Sequence, residues 1–350
     1  MPARIQTMKK HLLLIYIIAL TILFACKPEK PITKQFSLSS NTLIVGCEGN
    51  YTWGNASASI YFKTQDSIWN DAYYTINREK LGDVLQSMNF LNGKIFMVMN
   101  NSNRIIISDA KSFVKEHEIA SLQSPRYIID AMNGTYYVSD LYANAISIIN
   151  QNSYEKVGSI PCIGWTEEMI CVATKVYVCN RKSRFLYVVN TGNHSVEDSL
   201  DIGYGASAII KDLHGKLWLT TTGNSSMGIA ASLLCLNITD AHPIIERQFN
   251  FASGASPRCL KVNSEGDQLY YVNTDVFKMS IEAISMPSTP FISASTANIY
   301  GLEIDPSNGD VYVSDAKDYV QSGTVYRYNK AGQLQSQFDA GIIPSCFLFF

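Results

Sequence analysis

One short pattern of apolar and polar positions recurs along the chain. It consists of a turn ending in Gly or Asn, an aliphatic residue, an aromatic one, a β-prone residue and a polar pair. Copies are Gly93-Lys94-Ile95-Phe96-Met97-Val98, Gly134-Thr135-Tyr136-Tyr137-Val138-Ser139-Asp140, Lys175-Val176-Tyr177-Val178-Cys179-Asn180, Gly215-Lys216-Leu217-Trp218-Leu219-Thr220, Gln268-Leu269-Tyr270-Tyr271-Val272-Asn273 and Asp310-Val311-Tyr312-Val313-Ser314-Asp315. The anchoring aromatics stand at 96, 137, 177, 218, 270 and 312, so neighbouring copies are 40 to 42 residues apart except for one step of 52. A first copy, Asn41-Thr42-Leu43-Ile44-Val45-Gly46, precedes Phe96 by another step of 52. Short β-rich runs at this period predict strands, and no stretch sustains a helical period.

Each unit carries three further strands. An apolar one precedes the anchor, as in Tyr127-Ile128-Ile129-Asp130 or Leu260-Lys261-Val262-Asn263. A third follows, as in Ala145-Ile146-Ser147-Ile148-Ile149-Asn150, and then a more polar outer strand such as Lys156-Val157-Gly158-Ser159-Ile160. Seven units of four antiparallel strands predict an all-β, seven-bladed β-propeller. The chain ends in an unmatched inner strand, Pro344-Ser345-Cys346-Phe347-Leu348-Phe349-Phe350, while the first unit begins at its anchor strand without one. The C-terminal strand therefore completes the first blade and closes the ring, removing the free edges that an open array would have to cap.

Strand alternation sorts the loops onto two ends of the ring. The loops between first and second strands are tight turns such as Leu91-Asn92-Gly93 and Met132-Asn133-Gly134, chosen for positive φ. The opposite end, here the first face, carries longer loops rich in aromatic, amide and hydroxyl side chains, including Cys47 to Asn55, Asp140 to Asn144, Asn180 to Arg184 and Thr221 to Ser226. Such a mixture suits a binding surface for a polar, partly flat ligand.

The N-terminus reads as a lipoprotein leader. Lys9-Lys10 precede an apolar run, His11 to Leu23, too short for a membrane span, and Leu23-Phe24-Ala25-Cys26 ends it. This divides the chain into a signal peptide (1–25), a lipid-anchored tether (26–38) and the propeller (39–350), with Cys26 as the lipidated residue and the membrane reached through that anchor only. A plain secretory leader with an incidental cysteine is the alternative. The formal net charge of −2 becomes more acidic without Arg4, Lys9 and Lys10, which argues against a nucleic-acid partner. Seven cysteines remain after Cys26, without zinc or disulfide-framework spacing.

Catalytic patterns are sparse. His117, His194, His214 and His242 fall in hairpins or outer strands away from the first face, where a propeller hydrolase would need them. Glu48, Asp140, Glu167, Glu168, Asp275, Asp315 and Asp318 are the acidic residues of that face. Asp315 with Asp318 could hold calcium, but the reading assigns no metal, no cofactor and no catalytic residue. There is no G-x-S-x-G, phosphate loop or nucleotide fingerprint, and a Cys47 or Cys179 nucleophile would lack a histidine base.

The repeats Tyr137-Val138-Ser139-Asp140, Val176-Tyr177-Val178-Cys179-Asn180 and Tyr270-Tyr271-Val272-Asn273-Thr274 share one style. With them go the Ser-Pro-Arg entries at 124–126 and 256–258 and the first-blade run from Glu48 to Phe62. Together these resemble YncE-like seven-bladed propellers of Bacteroidetes, in particular the BtuG family of surface lipoproteins. The resemblance covers the mature chain. It implies a cell-surface protein on the outer membrane that captures a corrinoid (a vitamin B12-like molecule) as ligand and passes it to a TonB-dependent outer-membrane transporter. It further implies a first-face pocket built from Tyr51, Trp53, Asn101, Arg126, Tyr142, Trp165, Arg181, Asn224, Arg258, Asn273 and Tyr300. Two other readings stay open: a scaffold binding a protein or surface glycan, and a propeller hydrolase or lyase.

Overall fold

A computed structural model describes residues 37–239, 242–295 and 297–350. The leader, Cys26 and the tether as far as residue 36 lie outside the described residues. Leu38, near the start of the described residues, is buried with the first core cluster.

Twenty-seven strands, β1 to β27, form seven antiparallel sheets. The first blade holds β1 (Thr42–Cys47), β2 (Ser57–Phe62) and β3 (Ser67–Trp69), followed by one short helix, α1 (Ala72–Asn77). The second holds β4 (Leu85–Leu91), β5 (Lys94–Met99), β6 (Arg104–Asp109) and β7 (Lys115–Ile119). The third holds β8 (Pro125–Asp130), β9 (Thr135–Asp140), β10 (Ala145–Asn150) and β11 (Lys156–Pro161). Next come β12 (Thr166–Val172), β13 (Lys175–Asn180), β14 (Phe185–Asn190) and β15 (Ser195–Asp201). The fifth blade comprises β16 (Ala206–Lys211), β17 (Leu217–Thr221), β18 (Ser232–Asn237) and β19 (Ile244–Asn250). The sixth has three strands, β20 (Arg258–Val262), β21 (Gln268–Asn273) and β22 (Asp275–Ser280). The seventh is β23 (Ile299–Ile304), β24 (Val311–Asp315), β25 (Ser322–Tyr328) and β26 (Leu334–Ile342), and β27 (Pro344–Phe349) returns to the first blade. In the sixth blade a single bridge, Val276 to Ile292, stands where the other blades have a fourth strand.

The anchor pattern marks the second strand of every blade. These strands are nearly continuous runs of buried residues, because both faces of each blade pack on a neighbour. The core accordingly divides into seven clusters, one at each seam between blades; Phe96, Val98 and Ile105 of the second blade meet Ile128, Tyr136 and Val138 of the third. Aromatic rings cross the seams edge to face, as with Phe96 and Tyr136, whose centroids are 5.0 Å apart. Trp218 is fully buried, and its indole N–H donates to Asp212 Oδ2 at 2.8 Å. The hairpins of the second face take the backbone predicted for them. Asn92 and Gly93 both have positive φ (48° and 76°), which the two-residue turn between β4 and β5 requires.

Closure is made by β27, which pairs antiparallel with β1 from Leu43 opposite Phe349 to Cys47 opposite Pro344. A buried ion pair ties the first blade to the seventh. Lys63, just after β2, places its Nζ 2.6 Å from Asp305 Oδ2, just after β23. Removing residues 344–350 deletes the inner strand of the first blade and leaves β1 as an exposed edge. The truncated chain is expected to lose its single cooperative thermal transition by circular dichroism and to aggregate on gel filtration. Asp305→Ala leaves the Lys63 ammonium buried without its partner, and denaturant melts are expected to show a loss of about 3–5 kcal/mol.

Candidate functional site

Seven inner strands converge on the ring axis, and each carries one extra residue near its first-face end. In β4 the pairing passes from Leu85–Met99 to Ser87–Val98, leaving Gln86 extra. In β16 it passes from Ala206–Thr221 to Ala208–Thr220, leaving Ser207 extra. The same irregularity interrupts β8, β12, β20, β23 and β27. A bulge turns a side chain that would otherwise lie between blades, and here it turns one residue per blade toward the axis. Hydroxyls opposite the bulges take up the amide groups set free. Ser139 Oγ accepts from Tyr127 N at 3.1 Å, and Ser314 Oγ accepts from Gly301 N at 2.8 Å. These are the serines of the Val-Ser-Asp repeats. The aspartates after them hold loops: Asp140 accepts from Ser124 N, Tyr142 N and Ala143 N, and Asp315 accepts from Asn298 N and Lys317 N. Asp318 accepts from Val320 N and Gln321 N.

Registering the inner strands on their anchors gives a collar at the first-face mouth: Ser345, Gln86, Arg126, Glu167, Ser207, Arg258 and Tyr300 in ring order. They line a central recess of about 580 Å³, within the range of small-molecule sites. Arg126 is neutralised there. Its Nε donates to Glu167 Oε2 at 2.9 Å, its second amino group to Glu167 Oε1 at 3.3 Å, and its first to Gln86. Tyr300 donates its hydroxyl to Glu48 Oε2 at 3.2 Å. Burial pushes the Glu48 carboxyl up to about 7, against the lowering by Tyr300 and Arg126.

Deeper in the recess, Lys261 Nζ lies 2.7 Å from Glu303 Oε2. Burial opposes the Lys261 charge, but Glu303 and Glu168 hold its pKa above the ordinary lysine value. Glu168 accepts from Ile209 N at 3.0 Å, and burial lifts its pKa to about 7 against Lys261. The thiols weighed as nucleophiles have the opposite tendency to an activated cysteine. Burial pushes Cys47 up to about 12 and Cys179 well above its usual value, so both stay protonated.

A second recess of about 670 Å³ adjoins the first, sharing Arg181 and Thr222. Trp165, Lys182, Tyr204 and Asn224 line it, with the loop after β17 forming one wall. Lys182 Nζ sits 4.5 Å from the centre of the Trp165 ring, and Tyr142 meets that ring edge-on at 6.0 Å. Asn224 caps a short 3-10 turn, Ser225–Met227, by accepting from Met227 N.

Of the eleven predicted residues, Arg126, Arg258 and Tyr300 meet in the central recess, Trp165 and Asn224 line its neighbour, and Arg181 lines both. Tyr142 stands beside Trp165, 55% exposed. Tyr51 and Trp53 are 69% and 74% exposed on the first-blade loop and line neither recess. Asn101 is turned aside, donating to Asp83 Oδ2, and Asn273 closes the hairpin between β21 and β22. Gln86, Ser207, Lys261, Glu303 and Ser345 also line the central recess and are not among the predicted residues. Lys261 and Glu303 had a legible signal, since each interrupts an otherwise apolar inner strand. Among the described residues no three His, Cys, Asp or Glu side chains cluster as metal ligands, and the described histidines line neither recess.

No curated protein matches the chain. Solved structures share its fold at low identity. A quinonprotein alcohol dehydrogenase-like protein of Bacteroides thetaiotaomicron is 16% identical over 89% of this chain and 79% of that one, with a TM-score of 0.69. A functionally unknown protein of Desulfotomaculum acetoxidans is 8% identical over 88% and 98%, with a TM-score of 0.69. Hydrazine synthase of Kuenenia stuttgartiensis is 12% identical over 75% and 88%, with a TM-score of 0.58. At these identities the likeness is one of fold alone. Sequence similarity reaches further for one family, a domain of unknown function, DUF5074, whose model matches residues 41–349; the chain belongs to that family.

Proposed function

We propose that this protein is a ligand-capture lipoprotein, anchored through Cys26 on the outer-membrane surface, that holds a corrinoid on its first face and delivers it to a TonB-dependent transporter. The observation that carries the reading is the pair of adjoining recesses, joined at Arg181 and Thr222 and edged by Trp165 and Tyr142. A corrinoid is broad, flat and fringed with amides. Its ring would rest against Trp165, while its amides would meet Asn224, Gln86 and the hydroxyls of the collar. A site spread over two recesses suits a ligand larger than either. Capture is preferred to catalysis because two acids and two cations of the recess are held in ion pairs, Arg126 with Glu167 and Lys261 with Glu303. Burial pushes the Cys259 thiol of the recess up to about 11, so it stays protonated.

Cyanocobalamin mixed with the protein at tens of micromolar is expected to co-elute on gel filtration in stoichiometric amount, read by its visible absorbance. Trp165→Ala is expected to weaken the complex about tenfold, from the loss of an aromatic contact. Absence of a complex would overturn the corrinoid identity, and binding on a glycan array in its place would move the reading to a surface glycan.

A polar recess of this kind is bought with stability. Glu48 and Glu168 keep their protons to about 7 in the folded chain, whereas a solvated glutamate releases its own near 4.5. Because the folded pKa is the higher one, stability is full below pH 4.5 and declines as pH rises to about 7, by on the order of 3 kcal/mol for a fully buried group. Glu168→Gln removes one such group while keeping an acceptor for Ile209 N. Calorimetric melts are expected to show Tm raised by about 3–6 °C at pH 8 and unchanged near pH 4.

A further inference from the structure

Arg126 and Arg258 occupy equivalent places in the third and sixth blades, each after Ser-Pro at the entry to its inner strand. Their surroundings differ. Arg126 lies between Gln86 of the preceding blade and Glu167 of the following one, and bonds to both. At the corresponding places beside Arg258 stand Ser207 and Tyr300, neither of which carries charge. The Tyr300 hydroxyl is directed to Glu48, and its ring lies 5.9 Å from the Arg258 guanidinium. Arg258 makes one hydrogen bond, to the carbonyl of Ile299, and its Nε is buried without a partner. Arg181 enters the same recess from the loop after β13, and its guanidinium has no hydrogen-bond or ion-pair partner among the described residues.

Two guanidinium groups thus face one recess without the carboxylate that their counterpart possesses. The acids nearby are already engaged: Glu167 with Arg126, Glu303 with Lys261, Glu168 with Ile209 N, and Glu48 with the Tyr300 hydroxyl. Ser345, next to Tyr300 around the collar, adds a buried hydroxyl beside Glu48. Arg181 is exposed at the mouth, whereas Arg258 is half-buried with its Nε out of reach of a partner; a planar guanidinium lacking an internal acid is suited to fork onto an anionic oxygen pair. We propose that Arg258 and Arg181 form a receptor for an anionic oxygen group, phosphate or carboxylate, carried by the captured ligand. This rests on the reading of the recess as a capture site. It supplies the polarity of that site: the anionic end of the ligand enters the central recess between blades four, six and seven, and the flat, neutral part lies outward against Trp165.

The test uses the folded chain and two small probes at constant ionic strength. Inorganic phosphate is followed by phosphorus NMR relaxation and acetate by saturation-transfer NMR, with chloride as the balancing salt. Millimolar binding of one or both probes is expected, and the stronger of the two identifies the group as phosphate or carboxylate. Arg258→Met is expected to weaken it at least tenfold and Arg181→Met severalfold, while Arg184→Met, on an exposed arginine of the same loop, leaves it unchanged. Ser207→Glu would present a carboxylate to Arg258 from the preceding blade, as Gln86 presents its carbonyl to Arg126. That variant keeps both arginines and is expected to abolish probe binding with Tm preserved, so loss through misfolding is distinguished. Cyanocobalamin binding is measured on the same variants. If the corrinoid binds but neither probe does and Arg258→Met has no effect, the anion receptor is overturned and corrinoid capture stands. If the probes bind at Arg258 and the corrinoid does not, the receptor stands and the corrinoid identity falls. Binding of neither overturns both.

Discussion

Convergence on a single axis is the constraint from which the rest of this molecule follows. Seven inner strands approach one another closely enough that their axial side chains share one space, yet every blade must also bury both of its faces against neighbours. A regular strand alternates its side chains between the two faces of its sheet and so sends them into the seams. The extra residue in each of the seven inner strands breaks that alternation at one level and supplies the collar. The seams keep an apolar core while the axis acquires a polar ring. The hydroxyls of Ser139 and Ser314 make the break affordable by bonding the amides it releases.

From this comes a division between symmetry and difference. The backbone of the collar repeats seven times, but the side chains do not: Gln86, Arg126 and Glu167 form one continuous bonded arc, while Ser207, Arg258 and Tyr300 form an arc with a cation and no acid. Chemistry in a ring of equivalent positions resides in such departures from equivalence. The arc that neutralises itself is scaffold. The open arc lies beside the loop that joins the two recesses, so the uncompensated charge and the aromatic wall at Trp165 border a continuous space.

The ring itself was legible because the anchor strand is buried on both sides. Burial of that kind selects aliphatic and aromatic residues at nearly every position of the run, and a period of about 41 survives in six copies. The sixth blade was less legible: Thr274 is a one-residue turn between β21 and β22, and the segment after Ser280 gives one bridge in place of a strand. At the site, the arginines of the two Ser-Pro-Arg entries, Arg126 and Arg258, both line the central recess, since a polar residue just inside an inner strand lies next to the axis. Of the residues taken from the loops, Arg181, Trp165 and Asn224 line a recess, whereas Tyr51, Trp53 and Asn101 line neither. Loop composition alone does not tell a side chain that borders a recess from one that points away or folds onto its own loop. Asn101 illustrates the second case, because an amide beside Asp83 is satisfied locally. Lys261 and Glu303 escaped because their pairing joins neighbouring blades 42 residues apart, a spacing that becomes visible only once the inner strands are registered.

The two ends of the ring are under different demands, and this accounts for their different chemistry. At the second face the chain must reverse direction in two or three residues, so positive-φ turns at Asn92-Gly93, Gly134, Gly215 and Gly309 occupy the loops and leave little room for other side chains. At the first face the chain must cross from one blade to the next and also return between second and third strands. These longer connections meet around the mouth of the axis. Side chains from seven blades therefore have access to a common ligand at that end, and the bulges lie at the same end of the inner strands. The mouth can accordingly be varied by single substitutions in collar or loop without disturbing a seam, because the collar residues are turned out of the core. Arg258 illustrates this independence. It follows Ser-Pro as Arg126 does, its strand packs through Leu260 as the third blade's does through Ile128, and the residues facing it across the axis decide whether its charge is neutralised inside the protein or is available to a ligand.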